Sequence, residues 1–368
     1  MKIIKINVHE VEMEMKSPFS TSFGTVQNKR FYLIEVINEL GISGWGEGVA
    51  FEQPWYTEET VQTALHMTSD FLIPLLLHKS FEHPSEIHTW FSSIKRNQMA
   101  KAALEMAVWD VYAKTNKQPL SNLIGGQAKE ISVGISLGME PTIDQTLEKI
   151  AFFLAEGYQR IKLKIKPGWD VQVVKAVREK FGPIPLMVDA NSAYTLADVD
   201  VLKQLDPYDL LMIEQPLAHD DLIDHAVLQK QIQTPICLDE SICSFDDARR
   251  AISIGSCKVI NLKIGRVGGI AESIRIHDLC VEQKIDLWCG GMLEAGIGRA
   301  HNVALTTLPG FNLPGDTAGS NRYWHEDVIT PEVVAKNGFI HVPTEYGIGY
   351  EINRMKLNEF VKKVTCFS

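Results

Sequence analysis

Five charged residues recur at an almost constant interval in the middle of the chain. Lys164, Asp189, Glu214, Asp239 and Lys263 are separated by 25, 25, 25 and 24 residues. Each closes a short apolar run, as in Ile161-Lys162-Leu163-Lys164 and Leu186-Met187-Val188-Asp189. A buried apolar strand has no packing reason to end in a charge five times over, and each charge needs water, a partner or a metal. Three carboxylates brought together offer only acceptor oxygens, and their mutual repulsion favours a hard divalent cation, Mg²⁺ or Mn²⁺, between them. The bland alternative, three separate salt bridges at a rim, does not account for the regular phase. Lysine is a poor base at its ordinary pKa of about 10.4. A neighbouring cation, or a second ammonium such as Lys162 or Lys166 on the same strand face, would lower it. A cation flanked by two lysines suits abstraction of a proton beside a carboxylate: the metal stabilises the enediolate and the lysines move protons or supply positive charge.

The interval also identifies the element that positions these residues. From about residue 130 short apolar strands alternate with amphipathic helices, the pattern of parallel βαβ units. A repeat of 25 residues is close to one βα unit of a TIM-type barrel, and charges in one phase of it fall at the strands' C-terminal ends, where such barrels build their sites. Before this region, runs at residues 3–8, 31–37 and 42–47 alternate at strand period and predict a three-stranded antiparallel meander. Residues 102–114 predict a helix with Ala103, Leu104, Ala107, Val108, Val111 and Tyr112 on one face. After about residue 320 the chain reads as strands again, too short to fold alone. The expected architecture is α/β: a capping α+β domain at 1–126, a (β/α) barrel at 127–320, and a tail at 321–368 returning to the cap.

Composition limits the function. With 368 residues, 45% of them hydrophobic and 22% charged, the chain can bury cores of real size. A net charge of −10 argues against nucleic acid or an anionic membrane as partner. No signal peptide is expected, and the greasiest stretch, 71–77, is interrupted by Pro74 and too short to span a bilayer. Six cysteines without a CxxC pair suggest reduced thiols and a cytoplasmic location.

Lys162-Leu163-Lys164, Val188-Asp189-Ala190-Asn191, Ile213-Glu214-Gln215-Pro216, Leu238-Asp239-Glu240-Ser241 and Asn261-Leu262-Lys263 resemble the five strand-end signatures of the enolase superfamily. Lysines on both the second and sixth strands resemble its muconate-lactonising subgroup. Residues 162–170 (KLKIKPGWD), 290–300 (GGMLEAGIGRA) and 314–324 (PGDTAGSNRYW) resemble the o-succinylbenzoate synthase/N-succinylamino acid racemase family, and the likeness runs over nearly the whole chain. The resemblance implies an acid–base pair, Lys164 and Lys263, and Mg²⁺ ligands Asp189, Glu214 and Asp239. It implies substrate contacts from Lys162, Asn191, Ser136, Gly291 and Met292, with a small carboxylate bearing a succinyl group as partner; exposed cap and helix surfaces suggest a homo-oligomer. The reaction would be dehydration of 2-succinyl-6-hydroxy-2,4-cyclohexadiene-1-carboxylate to o-succinylbenzoate in menaquinone synthesis, or racemisation of N-succinylamino acids. A dipeptide epimerase is disfavoured because Asp316-Thr317-Ala318 lacks the second Asp of that group's DxD. A muconate-type cycloisomerase and a catalytically silent binding protein are the remaining alternatives.

Smaller signals admit two readings. Asn191 either contacts substrate or caps a loop, and Gly290-Gly291 either admits a ligand to the backbone or turns the chain. Glu240 is expected to point away from the site into a salt bridge. Phe19, Phe23, Gly24 and residues 51–56 resemble lid loops over the barrel mouth. The acidic run at 218–225 is read as a helix start, not a metal site.

Overall fold

The computed structural model describes residues 1–20 and 24–368, without the side chains of Phe19 and Ser20. Three antiparallel strands, β1 (Ile3–Ser20), β2 (Thr25–Asn38) and β3 (Ser43–Gly48), form the capping sheet. The first two run well beyond the alternating stretches that predict them, because cross-strand pairing continues out to Ser20 opposite Thr25.

The helix α1 (Gln98–Thr115) crosses this sheet. It is not one-faced as expected, since nearly its whole circumference is buried. Ala103, Leu104, Ala107, Val108 and Val111 pack into the core of the cap. Ala102, Met106, Trp109 and Ala113 pack into the larger core that continues through the barrel. Gly44 and Gly46 permit the close crossing: a Cβ on Gly46 would stand 2.0 Å from the Ala103 carbonyl oxygen.

Seven parallel strands follow in chain order: β4 (Ile135–Leu137), β5 (Ile161–Lys164), β6 (Leu186–Asp189), β7 (Ile213–Glu214), β8 (Ile236–Leu238), β9 (Val259–Leu262) and β10 (Asp286–Cys289). Between β10 and β4 lies a segment around Gly315. The Asp316 N–H donates to the Cys289 carbonyl at 2.8 Å and the Gly134 N–H donates to the Gly315 carbonyl at 2.7 Å, so the ring of backbone hydrogen bonds continues from the seventh strand to the first. The final strand, β11 (Val361–Phe367), pairs antiparallel with β1 and returns the tail to the cap.

Register explains how one sequence period builds one mouth. Lys164 pairs with Asp189, and Asp189 with Glu214, so these three lie level. Glu214 pairs with Cys237, which places Asp239 two residues further toward the mouth. Ile260 pairs with Leu238, which raises Lys263 two residues above the level of Asp239. Both offsets are even, so every side chain keeps the inward face although the five do not share one level. Beneath them Met187, Met212, Cys237, Val259 and Trp288 form a separate apolar layer inside the barrel, which floors the site as layered side chains fill such barrels.

Among the described residues, no helix is long and apolar enough to cross a membrane. All six cysteines are free thiols.

Candidate active site

Four of the five strand-end residues converge in a cleft between cap and barrel. Lys162, Lys164, Asp189, Asp239 and Lys263 line it, with Asn191, Ser136, Gly291 and Met292 around them and Phe51, Trp55 and Tyr56 entering from the cap. Glu214 lies fully buried just below, reached by the Lys162 ammonium at 3.0 Å and the Asn261 amide at 2.7 Å.

Ammonium and guanidinium groups neutralise the carboxylates. Lys164 Nζ lies 2.6 Å from Asp189 and 2.5 Å from the Asn191 amide oxygen. Lys162 Nζ lies 3.4 Å from Asp189 and 2.7 Å from Asp316. On the opposite flank Lys263 Nζ lies 2.9 Å from Asp239, whose other oxygen is held by Arg266. The Tyr56 hydroxyl donates to Asp239 at 2.8 Å and accepts from Lys263 and Arg266, each at 3.0 Å. The cap thus delivers an atom into the barrel's charged cluster.

These contacts set the protonation. Burial works against charge on Asp239, but Lys263 and Arg266 outweigh it and hold the carboxyl down at about 2. Burial also opposes ionisation of Asp189, and the Lys164 and Lys162 ammoniums overcome it. Glu214 is pushed up to about 7 by burial and by the neighbouring Asp189 carboxylate, with Lys162 pulling the other way. Lys162 is buried, yet the carboxylates of Asp316, Glu214 and Asp189 hold it firmly protonated.

Glycine at 290 has a packing reason. A Cβ there would lie 2.2 Å from the Asn261 amide oxygen and 2.6 Å from Lys263 Cε, so its absence makes room for the lysine stem. Asn191 sits at a turn, with a backbone φ of 40°, and its side chain lies at the cleft, where it accepts from Lys164 and donates to Glu240. The salt bridge expected of Glu240 is not formed among the described residues. That carboxyl accepts only the Asn191 amide at 3.1 Å, its second oxygen is unpartnered, and burial beside Asp239 raises it to about 8, so it is held as the neutral acid. Asp221 caps the next helix by accepting the backbone N–H groups of Ile223, Asp224 and His225, as the acidic run suggested. Lys166 is exposed. Phe23 and the Phe19 side chain, part of the expected lid, lie outside the described residues.

Several site residues escaped the sequence reading. Asn261 is two residues before Lys263 on one strand, so alternation alone could have placed it inward. Arg266 carried no such signal, because a turn after β9 brings it in; Asp316 stood out only as the first Asp of an incomplete DxD, and the barrel-closing segment brings it in.

Family models cover both parts of the chain: "Mandelate racemase / muconate lactonizing enzyme, N-terminal domain" matches residues 3–125, and "Enolase C-terminal domain-like" matches residues 145–356. The chain belongs to the enolase superfamily. Within it, similar relatives include o-succinylbenzoate synthases and N-succinylamino acid racemases, that is, lyases and racemases. The chain is 58% identical to an o-succinylbenzoate synthase of Geobacillus kaustophilus, over 98% of this chain and 96% of the relative. It is 47% identical to an N-succinylamino acid racemase of Thermus thermophilus, over 99% and 98% respectively. Its structure matches the crystal structure of an enolase-superfamily member from Listeria innocua with a TM-score of 0.98 and 46% identity, covering 100% of this chain and 99% of that one.

Proposed function

We propose that the chain is a cytoplasmic o-succinylbenzoate synthase, dehydrating 2-succinyl-6-hydroxy-2,4-cyclohexadiene-1-carboxylate in menaquinone synthesis. The observation that carries this reading is the placement of Lys164 and Lys263 on opposite flanks of one carboxylate arc, in a chain similar over its full length to enzymes of that name.

A divalent cation suits the donor set. Asp189, Glu214 and Asp239 supply only oxygen, and burial together with the neighbouring Asp189 carboxylate raises Glu214 to about 7, a cost that a cation between them would offset. Among the described residues no three carboxylates meet at one ready-made point, because Lys162 lies between Asp189 and Glu214. We assign these three residues as the Mg²⁺ ligands. The cation, when bound, supplies the positive charge that favours an enediolate.

Lys164 is assigned as the base that takes the proton from the carbon bearing the carboxylate. The C–O bond on the neighbouring carbon then breaks, a C=C bond forms, and hydroxide leaves as water with the proton returned by the Lys164 ammonium. Lys263, fixed by Asp239 and Tyr56, offsets the negative charge that develops on the far flank. Lys162, held at Asp316, adds charge where the substrate carboxylate enters, and Ser136, Asn191, Gly291 and Met292 shape the cleft around the rest of the substrate.

The same opposed lysines favour a second activity, racemisation of N-succinylamino acids, in which one lysine removes the proton and the other returns one to the opposite face. The test is kcat/KM with Mg²⁺ for dehydration beside racemisation, in the parent and in Lys164→Ala. Dehydration far faster than racemisation supports the synthase; the reverse makes the chain a racemase. Turnover that survives loss of Lys164 would sink the assignment.

A further inference from the structure

One wall of the cleft, residues 291–294, belongs to the loop between β10 and the helix α2 (Gly296–Thr306). This loop is gripped by two charged side chains that come from the cap and do not themselves line the cleft. Glu47, on β3, is fully buried. One of its carboxylate oxygens accepts the Ala295 N–H at 2.9 Å and the other accepts the Gly298 N–H at 2.8 Å, which caps the first turn of α2. Lys29, on β2 and equally buried, donates to the Leu293 carbonyl at 2.7 Å and to the Met292 carbonyl at 3.3 Å. The two charges face each other at 3.7 Å. Glycine at 298 belongs to the same device, since a Cβ there would stand 3.0 Å from the Glu47 carboxylate.

The barrel does not need these groups for its strands. Outside the pair, their side-chain hydrogen bonds among the described residues go to backbone atoms of residues 292, 293, 295 and 298, on both sides of Glu294. Burying two charges is costly unless the geometry is used. Here four backbone groups that would otherwise lie at a helix start or in a loop are fixed at once.

We propose that Glu47 and Lys29 are positioning residues that hold the wall at residues 292–294 against the barrel mouth, so that the capping sheet fixes how the cleft fits the organic part of the substrate without touching a reacting atom. This rests on the cleft being the active site, as assigned above. Uniform binding is then what the pair supplies, and its loss reads mainly in KM. The proton-moving lysines sit on other strands and keep their own partners.

The test uses the full chain with Mg²⁺ in three variants: Lys29→Met, Glu47→Gln, and the two combined. Each single variant leaves one buried charge unpaired and should lower Tm. The combined variant removes both charges and should regain much of that loss. If the pair positions the wall, KM rises by about tenfold or more in all three, with kcat within a few-fold of the parent. Amide exchange at Ala295 and Gly298 should quicken in Glu47→Gln and in the combined variant. A KM that returns to the parent value together with Tm in the combined variant would make the pair merely structural and overturn the proposal. So would faster amide exchange with KM unchanged. If the parent itself turns over neither substrate, the functional reading fails separately from the grip, which the exchange measurement still reads.

Discussion

Replacing Lys164 by alanine separates chemistry from folding, and the magnitudes can be worked from its surroundings. The Lys164 ammonium contacts Asp189 at 2.6 Å and Asn191 at 2.5 Å. Asp189 keeps the Lys162 ammonium at 3.4 Å when Lys164 is gone, so it is not left as an orphaned buried charge. The stability cost should therefore stay below the roughly 3–5 kcal/mol of a broken buried pair, at about 1–2 kcal/mol. A positioned general base contributes about 10²–10⁴ in rate, which at about 1.4 kcal/mol per decade adds roughly 3–5 kcal/mol to the barrier. Two assays read the two quantities: urea denaturation for stability, and NMR in D₂O for exchange of the alpha proton of each N-succinylamino acid enantiomer. Because Lys263 lies on the opposite flank, exchange should persist with the enantiomer that presents its proton to Lys263 and vanish with the other. Dehydration should fall by at least about a hundredfold. Exchange of both enantiomers at the parent rate, or dehydration within tenfold of the parent, would refute the assignment of Lys164 as base.

Three further perturbations test other parts of the structure. Adding Mg²⁺ at about 100 times its dissociation constant should raise stability by about 2.7 kcal/mol, seen as a rise in Tm that Asp239→Asn abolishes; an equal rise in that variant would place the ion elsewhere. Gly46→Ala should cost about 3 kcal/mol in chemical denaturation, because its Cβ would meet the backbone oxygen of Ala103 at 2.0 Å and neither backbone can yield cheaply. Glu35 has its carboxyl at about 2 instead of 4.5: burial pushes it up, but contacts from His9, Arg354 and Asn7 pull it down further. A carboxyl lowered by folding stabilises above its unfolded pKa, so its contribution is complete above about pH 4.5 and is lost as pH falls toward 2. After allowance for solvent screening this is roughly 2 kcal/mol, and Glu35→Gln should flatten the loss of unfolding free energy between pH 5 and 3.

Much of the site was legible because a repeated βα unit imposes a period on whatever its strand ends carry. Lys164, Asp189 and Glu214 were recognisable from spacing alone, and pairing with a 25-residue offset brings them level. The step in level at Asp239 was not legible, since the 25-residue spacing conceals a pairing offset of 23 residues between Glu214 and Cys237. Helix α1 was found but misread as one-faced. Alanines at 102, 103, 107 and 113 are small enough to bury on every side, and periodicity cannot reveal two cores when both faces are apolar. Arg266, Asp316 and Glu240 show a different limit. Their roles depend on which loop folds over which strand end, and no local pattern encodes that.

The cap's part in the site follows the same division. Tyr56 donates its hydroxyl proton to Asp239 and receives hydrogen bonds from Lys263 and Arg266, so an ion cluster made of barrel residues is completed by an atom from another layer. Glu105, on α1, accepts the backbone N–H groups of Ile270 and Ala271 at 2.6 and 2.9 Å, capping a barrel helix in the same manner as Glu47 caps α2. Both carboxyls are pushed up to about 7, burial being the largest cause in each. Buried acids of this kind add little net stability when set against apolar replacements. What they do supply is direction, because a carboxylate bound to two N–H groups of a helix's first turn fixes the start of that helix relative to the element that bears it. The cap is therefore fixed to the two barrel loops that follow β9 and β10. Those loops carry Arg266 on one side and the wall at 292–294 on the other, so a change in how the cap sits must move both flanks of the cleft together.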